Sequence, residues 1–238
     1  MEQLVFELAP PEPALLSNFL PGRNRELVAA LTVFASGAGS DPGFLIWGAS
    51  GAGKTHLLRG AVALGTERGV HAHFHQHPAT VANDPADEQA MLVAVDRIDE
   101  ADAEAAGLIF TLYNSLKERG GRLLAASRMP LAALPLREDL RTRLGWGLVY
   151  EALPLADDEK PAALATYARQ RGFDLSVEVI DYLLRHGRRD MSSLLAAVAA
   201  LDRLSLAAKR PITVPLLRDW LQATLQWETR EKSAPARG

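Results

Sequence analysis

The 238-residue sequence contains no cysteine. Disulfides, thiolate metal sites and cysteine nucleophiles are therefore excluded. It also lacks an excess of positive charge: 26 Lys and Arg stand against 29 Asp and Glu, for a formal net charge of −3. Domains that grip duplex DNA carry a basic balance, so bulk electrostatics argue against nucleic acid as the main partner. No stretch approaches the ~18 apolar residues of a membrane span. The N-terminus lacks both the basic and the apolar region of a secretory signal. These absences lead us to expect a cytoplasmic protein with no membrane partner.

What is present is an ordinary globular composition, 48% hydrophobic and 23% charged. The length suits one large domain, or one domain with a small appendage. Residues 1–13 read as a free peptide and a linker, because Pro10, Pro11 and Pro13 block helix and strand ladders alike. From there the pattern alternates. The spacing predicts helices over 24–35, 55–68, 103–119 and 137–144, and strands over 44–47, 70–77, 91–95, 122–126 and 148–151. Strands alternating with helices predict a parallel sheet, hence an α/β domain over 14–153. Beyond Pro154 only helical spacing is found, over 158–171, 176–186, 190–208 and 215–227, which predicts a small all-helical domain over 154–227. Residues 228–238 are polar, and we expect a disordered tail there.

The sharpest signal is the run Gly48, Ala49, Ser50, Gly51, Ala52, Gly53, Lys54, Thr55, a complete G-x-x-x-x-G-K-[ST] with a predicted strand before it and a helix after it. The glycines let the backbone curl so that its N–H groups converge on phosphate oxygens. The following helix turns its positive end to the same phosphates. The expected nucleotide contacts are Gly48, Ser50, Gly51, Ala52, Gly53, Lys54, Thr55 and His56, with ADP or ATP as the ligand. A second signal is the apolar run Leu92–Val95 ending in Asp96, the Walker B pattern. Thr55 and Asp96 together are the expected Mg²⁺ ligands.

Gly48–Leu58, Asp96, Ser127-Arg128-Met129-Pro130, Leu140–Gly147 and the Arg-Arg-Asp-Met run at 188–191 resemble the AAA+ module of the bacterial replication initiator DnaA. Within that family the chain resembles a regulatory homologue that inactivates the initiator. The resemblance covers nearly the whole chain and implies an AAA+ P-loop domain followed by a helical lid. It implies Ser127 at sensor 1, with a strand-end serine as the alternative. It implies Arg143 as an arginine finger reaching a neighbouring protomer, with a surface or core-edge arginine as the alternative. Arg189, or in its place Arg188, falls at sensor 2. Phe19, Leu20, Pro21 and Gly22 fall where the family contacts adenine, or else they only pack. AAA+ hydrolases follow their Walker B Asp with a second acid. Here that position is Arg97, with Asp99 and Glu100 nearby but out of register, so weak or absent intrinsic hydrolysis is expected.

Gln3-Leu4-Val5-Phe6-Glu7-Leu8 resembles the short peptides that dock into the bacterial sliding clamp. Leu4, Phe6 and Leu8 would enter an apolar pocket while Gln3 makes polar contacts, with a sheet-completing strand as the alternative. His71, His73, His75 and His77 alternate, which on one strand would put all four on one face, as a polar sheet edge or a metal site.

Taken together, the resemblance implies a regulatory inactivator of DnaA. It would bind nucleotide, sit on the DNA-loaded clamp, the beta subunit of DNA polymerase III, and offer Arg143 in trans so that DnaA hydrolyses its ATP and re-initiation is prevented. The rival enzyme reading is a self-sufficient AAA+ ATPase of the clamp- or helicase-loader type. A second rival is a DNA-binding initiator paralogue. Only residues 228–238 follow the last predicted helix, so no helix-turn-helix reader and no sequence-specific DNA binding are expected. A finger residue also leaves room for a homo-oligomer.

Overall fold

The computed structural model describes residues 13–81, 89–188, 190–208 and 210–233. Gln3, Leu4, Phe6, Leu8 and Arg189 lie outside the described residues. The chain divides after Pro154 into two compact units.

In the first unit, α1 (Arg25–Ala35) leads into β1 (Gly43–Trp47), followed by α2 (Lys54–Glu67), β2 (Ala72–His75), β3 (Leu92–Val95), α3 (Ala103–Glu118), β4 (Arg122–Ser127), α4 (Glu138–Gly145) and β5 (Leu148–Glu151). The strands form one parallel sheet in the order β2-β3-β4-β1-β5. Successive side chains of a strand point to opposite faces, and both faces are apolar. Phe44, Ile46, Leu92, Ala94, Leu124 and Ala126 bury against Leu31, Phe34, Leu57 and Leu58 of α1 and α2. Leu45, Val93, Val95, Leu123 and Ala125 bury against Ile109, Tyr113, Leu116, Leu140 and Leu144 of α3 and α4. The result is a three-layer sandwich, as expected for a parallel sheet covered on both faces.

Local chemistry fixes the ends of α3. Asp102 caps it, its carboxylate accepting from the Ala105 N–H at 2.8 Å. Gly120, with φ of 75°, ends it in the left-handed conformation.

The second unit is all-helical: α5 (Lys160–Gln170), α6 (Val177–His186), α7 (Met191–Ala208) and α8 (Val214–Ser233). Leu164, Tyr167, Ile180, Leu183, Val198 and Leu217 are among the side chains of its own core. Among the described residues no helix is long and apolar enough to cross a membrane.

Two expectations are corrected. The strand expected over 70–77 spans only Ala72–His75. Pro78 opens a short 3-10 turn, and the His77 ring accepts from the Ala79 N–H, so His71 and His77 lie outside the strand. The four histidines therefore do not share one strand face. The disordered tail expected from 228 is helix as far as Ser233. Its Glu, Arg and Lys are polar, but they are also good helix formers.

Candidate functional site

The loop between β1 and α2 is pinned at both ends. The Gly48 N–H donates to the Ser127 carbonyl at 3.1 Å, tying the loop to the end of β4. Gly48 has φ of 155°, and a Cβ on it would lie 2.3 Å from the Ala152 carbonyl oxygen, so only glycine fits. Gly51 and Gly53 have φ of 80° and 84°, a left-handed conformation that side chains strain. Ala52 turns its methyl into the core, while Ser50 and Gly51 are exposed.

Gly53 opens α2 without any side-chain cap. The first-turn N–H groups, those of Lys54, Thr55 and His56 among them, have no intrahelical acceptor. A helix start of this kind offers hydrogen-bond donors and the positive end of its dipole to a phosphate.

Lys54 Nζ lies over the same loop, donating to the carbonyls of Gly48 at 2.7 Å and Ala49 at 2.8 Å. Burial lowers its pKa. Asp96 and Asp99 oppose that shift, and Arg128 adds to it. Thr55 donates its hydroxyl to Asp96 Oδ2 at 2.5 Å, and Asp96 Oδ1 accepts from the Arg97 N–H at 2.9 Å. Asp96 is only 3% exposed. A hydroxyl oxygen and a carboxylate oxygen held together at a phosphate loop are the hard donors that Mg²⁺ takes. The residues present therefore fit both a nucleotide phosphate and its cation.

Ser127 is fully buried at the end of β4, beside the loop, and its hydroxyl accepts from the Met129 N–H at 2.9 Å. Phe19 packs over Gly53: a Cβ there would meet the ring at 2.7 Å. Its ring lies 5.5 Å from that of His56, whose Nε2 bonds to the Leu15 carbonyl at 2.9 Å. Burial pushes the His56 pKa down, with the Leu15 carbonyl opposing. Leu20, Pro21 and Gly22 continue half-buried to Asn24, whose amide exchanges two hydrogen bonds with the Leu153 backbone.

The structure adds a feature that sequence reasoning missed. Asp99 is buried, and its two oxygens accept from the Arg128 N–H at 3.1 Å and Nε at 2.8 Å. Glu100 pairs with the same guanidinium at 3.1 Å and with His77 at 3.2 Å. Burial raises the Asp99 pKa, but the hydrogen bonds from Arg128 outweigh it and hold the carboxyl below its usual value. Only the unusual run of acids after Asp96 hinted at this latch. Arg97, directly after Asp96, adopts a left-handed backbone with φ of 54°.

Arg143 is not brought to this loop. It sits near the C-terminal end of α4, just before β5, whose Leu148 pairs with Phe44 at the start of β1. The phosphate loop follows the other end of β1, a strand length of about 13 Å away at ~3.3 Å per residue. Arg188 pairs with Asp190 at 3.3 Å. His75 is buried and bonds to the Thr80 hydroxyl at 3.0 Å. Among the described residues no cluster of three or more His, Asp or Glu could hold a metal ion.

Residues 157–221 match the family model described as Hda, lid domain. Domain III of the Thermotoga maritima replication initiation protein DnaA is similar to the chain with a TM-score of 0.70 and 18% identity, over 90% of this chain and 99% of that one. AMPPCP-bound DnaA from Aquifex aeolicus is similar with a TM-score of 0.68 and 20% identity, over 81% of this chain but only 65% of that one. A single-residue variant of Thermotoga maritima RuvB is similar with a TM-score of 0.63 and 15% identity, over 89% of this chain and 72% of that one. At these identities the likeness is one of fold: a parallel-sheet α/β domain followed by a helical domain.

Proposed function

We propose that this chain, an Hda- and DnaA-like AAA+ replication regulator, works as a nucleotide-bound activator of the DnaA ATPase rather than as an ATPase in its own right. The observation that carries the reading is the division of the catalytic parts. The phosphate loop with Lys54, Thr55 and Asp96 stands at one end of the sheet, and Arg143 stands at the other.

The chain's own residues suit holding a nucleotide. The loop N–H groups and Lys54 would bind the phosphates, and Thr55 and Asp96 would hold Mg²⁺. Phe19 and His56 lie where the base would pack. The solved DnaA of Aquifex aeolicus is bound to AMPPCP, which supports a nucleotide in this site. The cation, when bound, supplies charge neutralisation between phosphates.

Hydrolysis also needs a group to orient water. Arg97 stands where the second acid belongs, and the nearby Asp99 spends both oxygens on Arg128. Intrinsic turnover is therefore weak. Arg143, unable to reach its own site, is offered to the nucleotide of a neighbouring DnaA. An arginine supplied in trans raises phosphoryl-transfer rates by roughly 10³–10⁵ in other systems. ADP is the resident nucleotide in this reading, and residues 3–8 dock the chain on the DNA-loaded sliding clamp.

The test is hydrolysis by ATP-loaded DnaA with the chain added, with and without clamp on DNA. The reading expects stimulation only when both are present, and little turnover by the chain alone. Substantial turnover by the chain alone, with DnaA unaffected, would instead mark a self-sufficient ATPase.

A further inference from the structure

The Arg143 guanidinium carries no carboxylate or carbonyl partner among the described residues. It is held instead by rings: its Cζ lies 4.7 Å from the Trp146 ring centroid and 5.3 Å from that of Phe110. Arg122, Arg128 and Arg171, by contrast, spend their donors on carbonyls or carboxylates. Trp146 is 53% exposed, which is unusual for the residue type. It also receives Lys117, whose Nζ is 4.9 Å from its centroid. It lines a surface groove with Asp41, Pro42, Gly121 and Arg122.

We propose that Trp146 and Phe110 form an aromatic clamp that pre-positions the Arg143 guanidinium for a partner's phosphate, a reading that rests on the trans role argued above. A cation held over aromatic faces keeps its N–H donors unspent. A carboxylate partner would fix the side chain equally well, but it would consume the donors and neutralise the charge. The clamp therefore removes rotamer freedom from a long side chain while leaving its fork intact for a bidentate anion. Phe110, on α3, is half-buried and sets the inner side. Trp146, just past the end of α4, sets the outer side, and Lys117 steadies the ring and adds a second positive charge beside the groove. Trp146 and Phe110 act through Arg143 and are positioning residues.

The experiment measures stimulation of DnaA ATP hydrolysis, in the presence of DNA-loaded clamp, by the wild-type chain and by Arg143→Ala, Trp146→Ala, Trp146→Phe and Phe110→Leu. Thermal unfolding and nucleotide affinity of each variant are measured alongside. Trp146→Ala is expected to lower the maximal rate about tenfold without moving the concentration for half-maximal effect, the melting temperature or nucleotide affinity. Trp146→Phe restores most of the rate, because a ring face is restored. Phe110→Leu keeps the apolar volume, loses the ring, and lowers the maximal rate in the same way. If Arg143→Ala abolishes stimulation while Trp146→Ala and Phe110→Leu stimulate like wild type, the clamp is refuted and the trans finger stands. If Arg143→Ala itself stimulates normally, the functional reading fails and the clamp with it.

Discussion

The Thr55 hydroxyl donates to Asp96 Oδ2 at 2.5 Å, joining the first turn of α2 to the end of β3 across 41 residues. This contact brings the loop after β1 and the end of β3 together. Asp96 is buried, yet its oxygens are both paired, one with Thr55 and one with the Arg97 N–H. Lys54→Ala removes the ammonium from the loop, and Thr55→Ala removes half of the pair proposed to hold Mg²⁺. Charge-assisted hydrogen bonds contribute about 1.5–3 kcal/mol each, so Lys54→Ala weakens nucleotide binding by at least about tenfold. Thr55→Ala weakens the Mg²⁺-dependent part alone. Titration of a fluorescent nucleotide with and without Mg²⁺ separates the two.

Gly48 sits where a Cβ would run into the Ala152 carbonyl oxygen at 2.3 Å. That obstacle is backbone, so it cannot swing away. Gly48→Ala forces the loop from its place and costs about 1–3 kcal/mol, the usual cost of overpacking. Thermal unfolding reads the loss of stability, and the same variant binds nucleotide weakly.

Asp99 makes stability depend on acid. Burial alone would raise its pKa, but the Arg128 bonds outweigh it and depress the folded value. A depressed folded pKa contributes stability above the unfolded value and loses it as pH falls through the folded value. Asp99→Asn keeps an acceptor for the Arg128 N–H but removes the charge. It is expected to cost about 1–3 kcal/mol near neutrality. The gap from wild type should begin to narrow below about pH 4, where the unfolded carboxyl takes up its proton, and close as pH falls through the lower folded value. Melts between neutral and acid pH check both the size and the window.

Arg122 fastens the entry to the sheet. Its guanidinium donates to the carbonyls of Phe34 at 2.7 Å, Gly37 at 2.6 Å and Gly39 at 2.5 Å, and lies 5.6 Å from the Phe34 ring centroid. Arg122→Met retains the apolar stem but leaves three carbonyls without this donor. It should cost about 1.5–3 kcal/mol of stability, read by denaturant unfolding, with nucleotide affinity unchanged because the residue stands at the far end of β4.

The loop at Gly48–Gly53 between β1 and α2, the end of β3 before Asp96 and the layered α/β order were legible because each rests on local signals. Glycine spacing, apolar runs and helix caps act within a few residues. The Asp99–Arg128 latch was not legible, because it joins positions 29 residues apart. They meet only because β3 and β4 are neighbours in the sheet. The histidine alternation misled for a local reason: Pro78 and the His77–Ala79 contact end the strand early. The polar residues after 227 suggested disorder, yet α8 continues to Ser233, since polarity and helix propensity are separate properties. Of the two rings beside Arg143, Trp146 is local but Phe110 was invisible for the same reason as the latch. Phe110 belongs to α3, far from α4 in the chain.

The most direct test of the central claim is a single-turnover measurement of ATP hydrolysis by nucleotide-loaded DnaA, with DNA-loaded clamp and either the wild-type chain, Arg143→Ala or Arg143→Lys. A planar fork that grips phosphate oxygens is not replaced by a point charge. The account predicts rapid hydrolysis with the wild-type chain, loss of at least about 10³-fold with Arg143→Ala, and little rescue by Arg143→Lys. Hydrolysis that proceeds as fast with Arg143→Ala as with the wild-type chain would contradict it.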